Sequence, residues 1–197
     1  MNDSLRKLLL EMAESDRTLR DELARDGTLF EGYHPRMQAI HEQNASQLQS
    51  VIEKHGWPGK SLVGEEASEA AWLIAQHAIA LPSFQRSCLT LLQEAASRGD
   101  VPPWQPAYLL DRIRFFEGKP QIYGTQFEPD EHGVPRPYPI ENPALVNELR
   151  RQIGLDSIEE RQQKLAEANR ENPPRIADRT ESQRKYQAWL HKVGWRP

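Results

Sequence analysis

Glu65-Glu66-Ala67-Ser68-Glu69-Ala70-Ala71-Trp72-Leu73-Ile74-Ala75-Gln76-His77-Ala78-Ile79-Ala80-Leu81 is the stretch that decides the fold. It is bounded by Gly64 and Pro82, and its second half is apolar almost all round, the pattern of a helix enclosed by neighbours. The alanines at 67, 70, 71, 75 and 78 let those neighbours approach closely. Inside the apolar run sit Gln76 and His77. Two adjacent polar groups in a buried helix need several partners. Desolvation favours neutral His77, and a carboxylate beside it would act the other way. The stretch therefore predicts an all-α core with a polar site inside it.

Toward the N-terminus, a first helix runs from Asp3 or Ser4 to about Ala24, with Leu5, Leu9, Met12, Leu19 and Leu23 on one stripe. Asp16 fills the missing step of that stripe. A buried carboxylate must be paired, and Arg20, one turn on, is the local candidate; such a pair would be purely structural. A second helix covers about Pro35 to Lys54, and its stripe turns polar midway at His41 and Asn44. Two core-facing stripes that turn polar part-way along predict a shared cavity, or an edge of the core open to water.

Toward the C-terminus, Gly56-Trp57-Pro58-Gly59 stops the second helix. Gly59-Lys60-Ser61 is no phosphate loop, because Lys54 stands where the motif needs glycine and no strand precedes it. Ser61 does not sit in a nucleophile elbow either. A helix from Pro82 to Gly99 places Cys88 on its apolar stripe, as a core residue. The next, from Pro106 to Gly118, carries Asp111 and Arg112. Adjacent helical residues diverge by roughly 100°, so these two can flank one spot but cannot share it.

Residues 121–140 read as a small extended hairpin or flap, in which Pro135, Pro137 and Pro139 are tolerable only on an edge. Asn142-Pro143 opens a helix to Gly154, and Ser157 with Glu160 forms a capping box for another, to about Asn169. Asn172-Pro173-Pro174 breaks the chain. Thr180 and Gln183 open a last helix with Tyr186, Trp189, Leu190 and Val193 on one side. The predicted organisation is a single-domain multi-helix bundle over 1–171, with a C-terminal extension over 172–197 that carries a docking helix.

Composition narrows the function classes. The 25 basic and 29 acidic residues leave a net charge of -4, which argues against nucleic-acid binding. The single Cys88 excludes an internal disulfide and fits a reducing compartment. Neither a signal peptide nor a membrane span is read, so the expectation is a cytoplasmic protein. Without thiolate pairs or a His-Glu-x-x-His motif, no metal or other cofactor is expected.

Four spaced motifs, Gly56-Trp57-Pro58-Gly59, Ala71-Trp72-Leu73-Ile74-Ala75-Gln76-His77-Ala78, Leu110-Asp111-Arg112-Ile113 and Tyr123-Gly124-Thr125-Gln126, resemble those of a bacterial family catalogued only as a domain of unknown function. The resemblance covers about residues 5 to 160 and groups these residues without implying a reaction. From the residues themselves, the expected function is a metal-independent enzyme, a hydrolase or proton-transfer catalyst on a small polar or anionic substrate. His77 is the general acid or base, with Asp111 or Asp16 orienting it. Arg112 holds an anionic group, and Gln76, Gln121, Tyr123, Gln126, His41 and Asn44 line the site. The alternatives are a non-catalytic small-ligand or peptide-binding module and a structural, partner-docking protein.

Overall fold

The computed structural model describes residues 1–30, 32–130, 132–171 and 179–197, with residues 30, 171 and 179–183 given by backbone only. These residues form helices α1 (Asp3–Asp26), α2 (Pro35–His55), α3 (Lys60–Val63), α4 (Glu65–His77), α5 (Pro82–Ser97) and α6 (Trp104–Phe116). After these come the antiparallel strands β1 (Phe127–Pro129) and β2 (Pro135–Pro137), then α7 (Val146–Gln152), α8 (Ile158–Glu171) and α9 (Arg179–Val193). The fold is all-α with a small flap. No helix among the described residues is long and apolar enough to cross a membrane.

Helix α4 lies at the centre, packed against α1, α2, α3, α5 and α6. Leu9, Leu48, Val63, Ile74, Leu92 and Leu109 meet there with at most 1% of their surface exposed. Cys88 joins this core, and burial pushes its thiol up to about 12. The ends of α1 are closed as its sequence dictates. Asn2 accepts from the Leu5 N–H, and Gly27, at φ 87°, donates to the Leu23 carbonyl.

Helix α4 stops at His77, four residues before the expected end at Leu81. Leu81 precedes Pro82 and is held out of the helical region, at φ -122° and ψ 72°. The buried Gln85 side chain takes up the freed carbonyls, donating to Ala75 O at 2.8 Å and Gln76 O at 3.1 Å. His77 thus sits where α4 leaves the core. Helix α7 also starts later than Pro143, because 142–145 form a turn closed by Leu145 N–H to Asn142 O. The Ser157–Glu160 box forms as expected, with each residue accepting from the other's N–H.

The hairpin pairs Phe127 with Pro137 and Pro129 with Pro135, which works because a two-stranded ladder has only edges. Residues 121–126 wrap instead around two buried charges. Asp111 accepts from the N–H groups of Ile122, Tyr123 and Thr125. Arg150, 1% exposed, donates to the carbonyls of Tyr123, Gly124 and Asp156. Gly124 completes the wrap at φ 62°, where a Cβ would lie 2.5 Å from Ile158 Cδ1 and 2.9 Å from Ile140 Cδ1. Gly124→Ala should therefore destabilise the protein by about 1–2 kcal/mol through its backbone and by a further ~1–3 kcal/mol through overpacking. A thermal melt reads this, and an unchanged midpoint would refute the wrap.

The C-terminal extension docks on its own core. Leu190 is 0% and Trp195 4% exposed. Trp195 Nε1 donates to Ile79 O, Arg196 Nε donates to Phe116 O, and the Trp195 ring stacks on Phe116. The expected break at Asn172-Pro173-Pro174 and the Thr180–Gln183 box lie outside what is described.

Candidate functional site

Where α1, α2 and the end of α4 converge, Asp16 is 1% exposed and turns both carboxylate oxygens to histidines. Its Oδ2 lies 2.6 Å from His77 Nδ1 and its Oδ1 lies 3.3 Å from His41 Nε2. The His41 Nδ1 is 2.8 Å from the Tyr33 hydroxyl. A carboxylate only accepts, so both rings donate to it. His41 then carries its proton on Nε2, and its Nδ1 accepts from Tyr33. His77 carries its proton on Nδ1, which leaves Nε2 as a bare base. The His77 side chain is 23% exposed, against 8% for His41, so His77 is the member that can meet a ligand. Arg20 is not the partner of Asp16; long-range packing of three helices overrides the local pair.

Burial by itself pushes the Asp16 carboxyl up, but the hydrogen bonds and charges of His41 and His77 outweigh it and hold it well below the carboxylate range. For His77, burial dominates and pulls the imidazole below its ordinary value. The Asp16 bond and charge oppose that shift, while Arg112 and His41 reinforce it. A lowered histidine weakens the fold as pH falls below the ordinary 6.5, since the unfolded chain then binds a proton that the folded chain refuses. Asp16 adds a loss of the same sign, from the ordinary 3.8 downward. Urea midpoints should therefore fall as pH drops through 6.5, less steeply in His77→Gln. A midpoint that rises on acidification would contradict this.

Arg112 reaches α4 at Gln76, the residue before His77. Its Nη1 donates to Gln76 O at 3.1 Å, while its Nε is buried without a partner among the described residues. Burial lowers the guanidinium to about 10, with the Arg20 charge adding to the effect and Tyr186 opposing it. Among the described residues no carboxylate pairs with Arg112 or Arg20. Gln76 is 2% exposed, and both polar atoms of its side chain lack partners among the described residues.

Asp111 does not orient His77, contrary to one of the two expectations. It is 0% exposed, and both its oxygens are taken by the 121–126 backbone. Burial pushes its carboxyl up, and the amide bonds pull it back only in part. Gln121 is also inside the wrap: its Nε2 donates to the Gln126 and Tyr138 carbonyls, and its Oε1 accepts the Gln126 N–H. The Gln126 side chain bonds Thr125, and Tyr123 offers its backbone to Asp111 and Arg150. These residues shape the flap, and none of their bonds reaches His77. Asn44 donates to Met12 O, tying α2 to α1 one turn from His41, and lines a shallow groove with Ile40 and Gln47.

Sequence reasoning passed over Tyr33, which lies in an aperiodic loop, and Arg150, whose neighbour Arg151 is exposed and looks the same on paper. The Tyr33 ring stacks on His41 at 5.8 Å and meets Trp189 edge-on at 5.5 Å, so the C-terminal helix reaches the site.

Asp16, His41 and His77 offer ligand atoms within 4.8 Å of one another and are the one trio among the described residues with the make-up of a two-histidine, one-carboxylate cation site. Atoms sharing a cation at about 2.0–2.2 Å lie roughly 3 Å or more apart. The 2.6 Å between Asp16 and His77 is a hydrogen-bond length.

An all-α protein with a buried carboxylate between two histidines is the class that fold and site define. The chain belongs to the family of unknown function DUF6624, whose model matches residues 3–172. Helix α9, with Tyr186 and Trp189, lies beyond the matched segment. No curated protein and no solved structure matches the chain.

Proposed function

We propose that the protein is a metal-independent acid–base enzyme, a hydrolase or proton-transfer catalyst on a small polar substrate. The observation that carries this reading is the 2.6 Å contact of the buried Asp16 with Nδ1 of the partly exposed His77. In the hydrolytic form, His77 Nε2 removes a proton from water as the water oxygen bonds to an electrophilic carbon or phosphorus. The same proton then passes to the leaving group as its bond breaks. Asp16 fixes the ring and offsets the transient imidazolium charge. The Tyr33–His41 pair fixes the other carboxylate oxygen, so Asp16 cannot rotate away.

A panel of chromogenic carboxylic esters, phosphoesters and anilides tests the reading. Wild-type turnover should fall by about 10²–10⁴ in His77→Gln, with the circular-dichroism spectrum unchanged. Equal turnover in the variant would sink the proposal. A stoichiometric metal ion in the purified protein, held by Asp16, His41 and His77 together, would replace it with a metal-centred reading.

A further inference from the structure

Nine buried side-chain polar atoms lack a partner among the described residues, and five of them belong to residues around this one centre. They are Nε2 and Oε1 of Gln76, Nε of Arg112, the Tyr186 hydroxyl and Nε1 of Trp189. Contacts tie these residues together. Arg112 holds the Gln76 carbonyl, Tyr186 stacks on Trp189 at 6.0 Å, and Trp189 meets Tyr33, the residue bonded to His41. The unused atoms are mostly donors. Buried donors left unmade are costly, and water could satisfy each of them. Water cannot balance charge, however, and among the described residues Arg112 has no carboxylate partner. Arg112 bonds the carbonyl of Gln76, the residue next to His77, and its charge acts on both His77 and Tyr186.

We propose that Arg112, Gln76, Tyr186 and Trp189 form a cradle for an oxyanion of the substrate, a phosphoryl or carboxylate group, with Arg20 adding attraction from the rim. The guanidinium fork suits either group. This deepens the acid–base reading and rests on it: the anion anchors the substrate while His77 acts on a bond nearby. Two of the four groups come from α9, outside the family match, so the C-terminal extension supplies part of the recognition.

Calorimetric titration of the full chain with inorganic phosphate, and separately with acetate, tests the cradle. At least one probe should bind, with phosphate tighter for a phosphoryl group and acetate tighter for a carboxylate. Arg112→Lys keeps the charge but loses the fork, and should weaken binding by about tenfold. Tyr186→Phe and Trp189→Phe, which keep rings and lose donors, should each weaken it by about three- to tenfold. His77→Gln should bind the anion within about twofold of wild type while losing turnover, so failure of the cradle and failure of the acid–base reading are told apart. Absence of binding by both probes overturns the cradle, as does binding that neither Arg112→Lys nor Tyr186→Phe changes.

Discussion

Asp16→Ala is expected to destabilise the protein by about 3–5 kcal/mol and to abolish turnover. The carboxylate accepts from His77 at 2.6 Å and from His41 at 3.3 Å, and it is 1% exposed. Removing it leaves two ring N–H groups without an acceptor where water does not readily reach. It also opens a space between α1, α2 and α4, the helices whose packing defines the core. Asp16→Asn separates the two effects. Its carboxamide oxygen can accept from one ring, but its NH₂ opposes the other ring N–H and favours the opposite tautomer there. That variant should recover much of the stability and little of the turnover. Urea denaturation of both variants at a constant m-value measures the difference. A stable, active Asp16→Ala protein would remove the basis of the site.

The second large effect is expected far from His77. Arg150→Met should cost about 3–5 kcal/mol, the range for breaking a buried charge arrangement. The guanidinium donates to three backbone carbonyls and lies in the field of Asp111. Methionine fills part of the volume but leaves those three carbonyls without a donor and removes the positive charge that acts on Asp111. The 121–126 wrap should loosen first, seen as faster amide exchange at Ile122, Tyr123 and Thr125, the amides Asp111 now holds. Unchanged exchange there would show that Asp111 organises the loop alone. Arg151→Met, on an exposed side chain paired with Glu148, should have little effect.

How far sequence reasoning reached depends on the kind of signal each residue leaves. Asp16, His41, Gln76 and His77 were legible because each interrupts an apolar stripe, and an interruption is visible without knowing its partner. The partner was not legible. Asp16 and His77 are 61 positions apart, and nothing in either helix says which carboxylate a histidine will find. Asp111 and Arg112 were read as flanking one spot. They diverge as adjacent helical residues must, but only Arg112 turns to α4, while Asp111 gathers the amides of 121–126. Gln121 and Gln126 sit in a segment with no periodicity, where a polar side chain satisfying its own backbone looks like one awaiting a ligand. The Tyr186–Trp189–Leu190 stripe foretold docking, because burial follows spacing. That the polar ends of Tyr186 and Trp189 are buried without partners among the described residues is a fact of tertiary geometry.

Long-range ¹H–¹⁵N spectra of the histidine rings, recorded on the full chain above neutral pH, test the central claim most directly. The account predicts that His77 carries its proton on Nδ1, facing Asp16, with Nε2 bare, and that His41 carries its proton on Nε2 with Nδ1 accepting from Tyr33. A His77 ring protonated on Nε2 would contradict it, because the nitrogen assigned as the base would then hold the proton it is supposed to take.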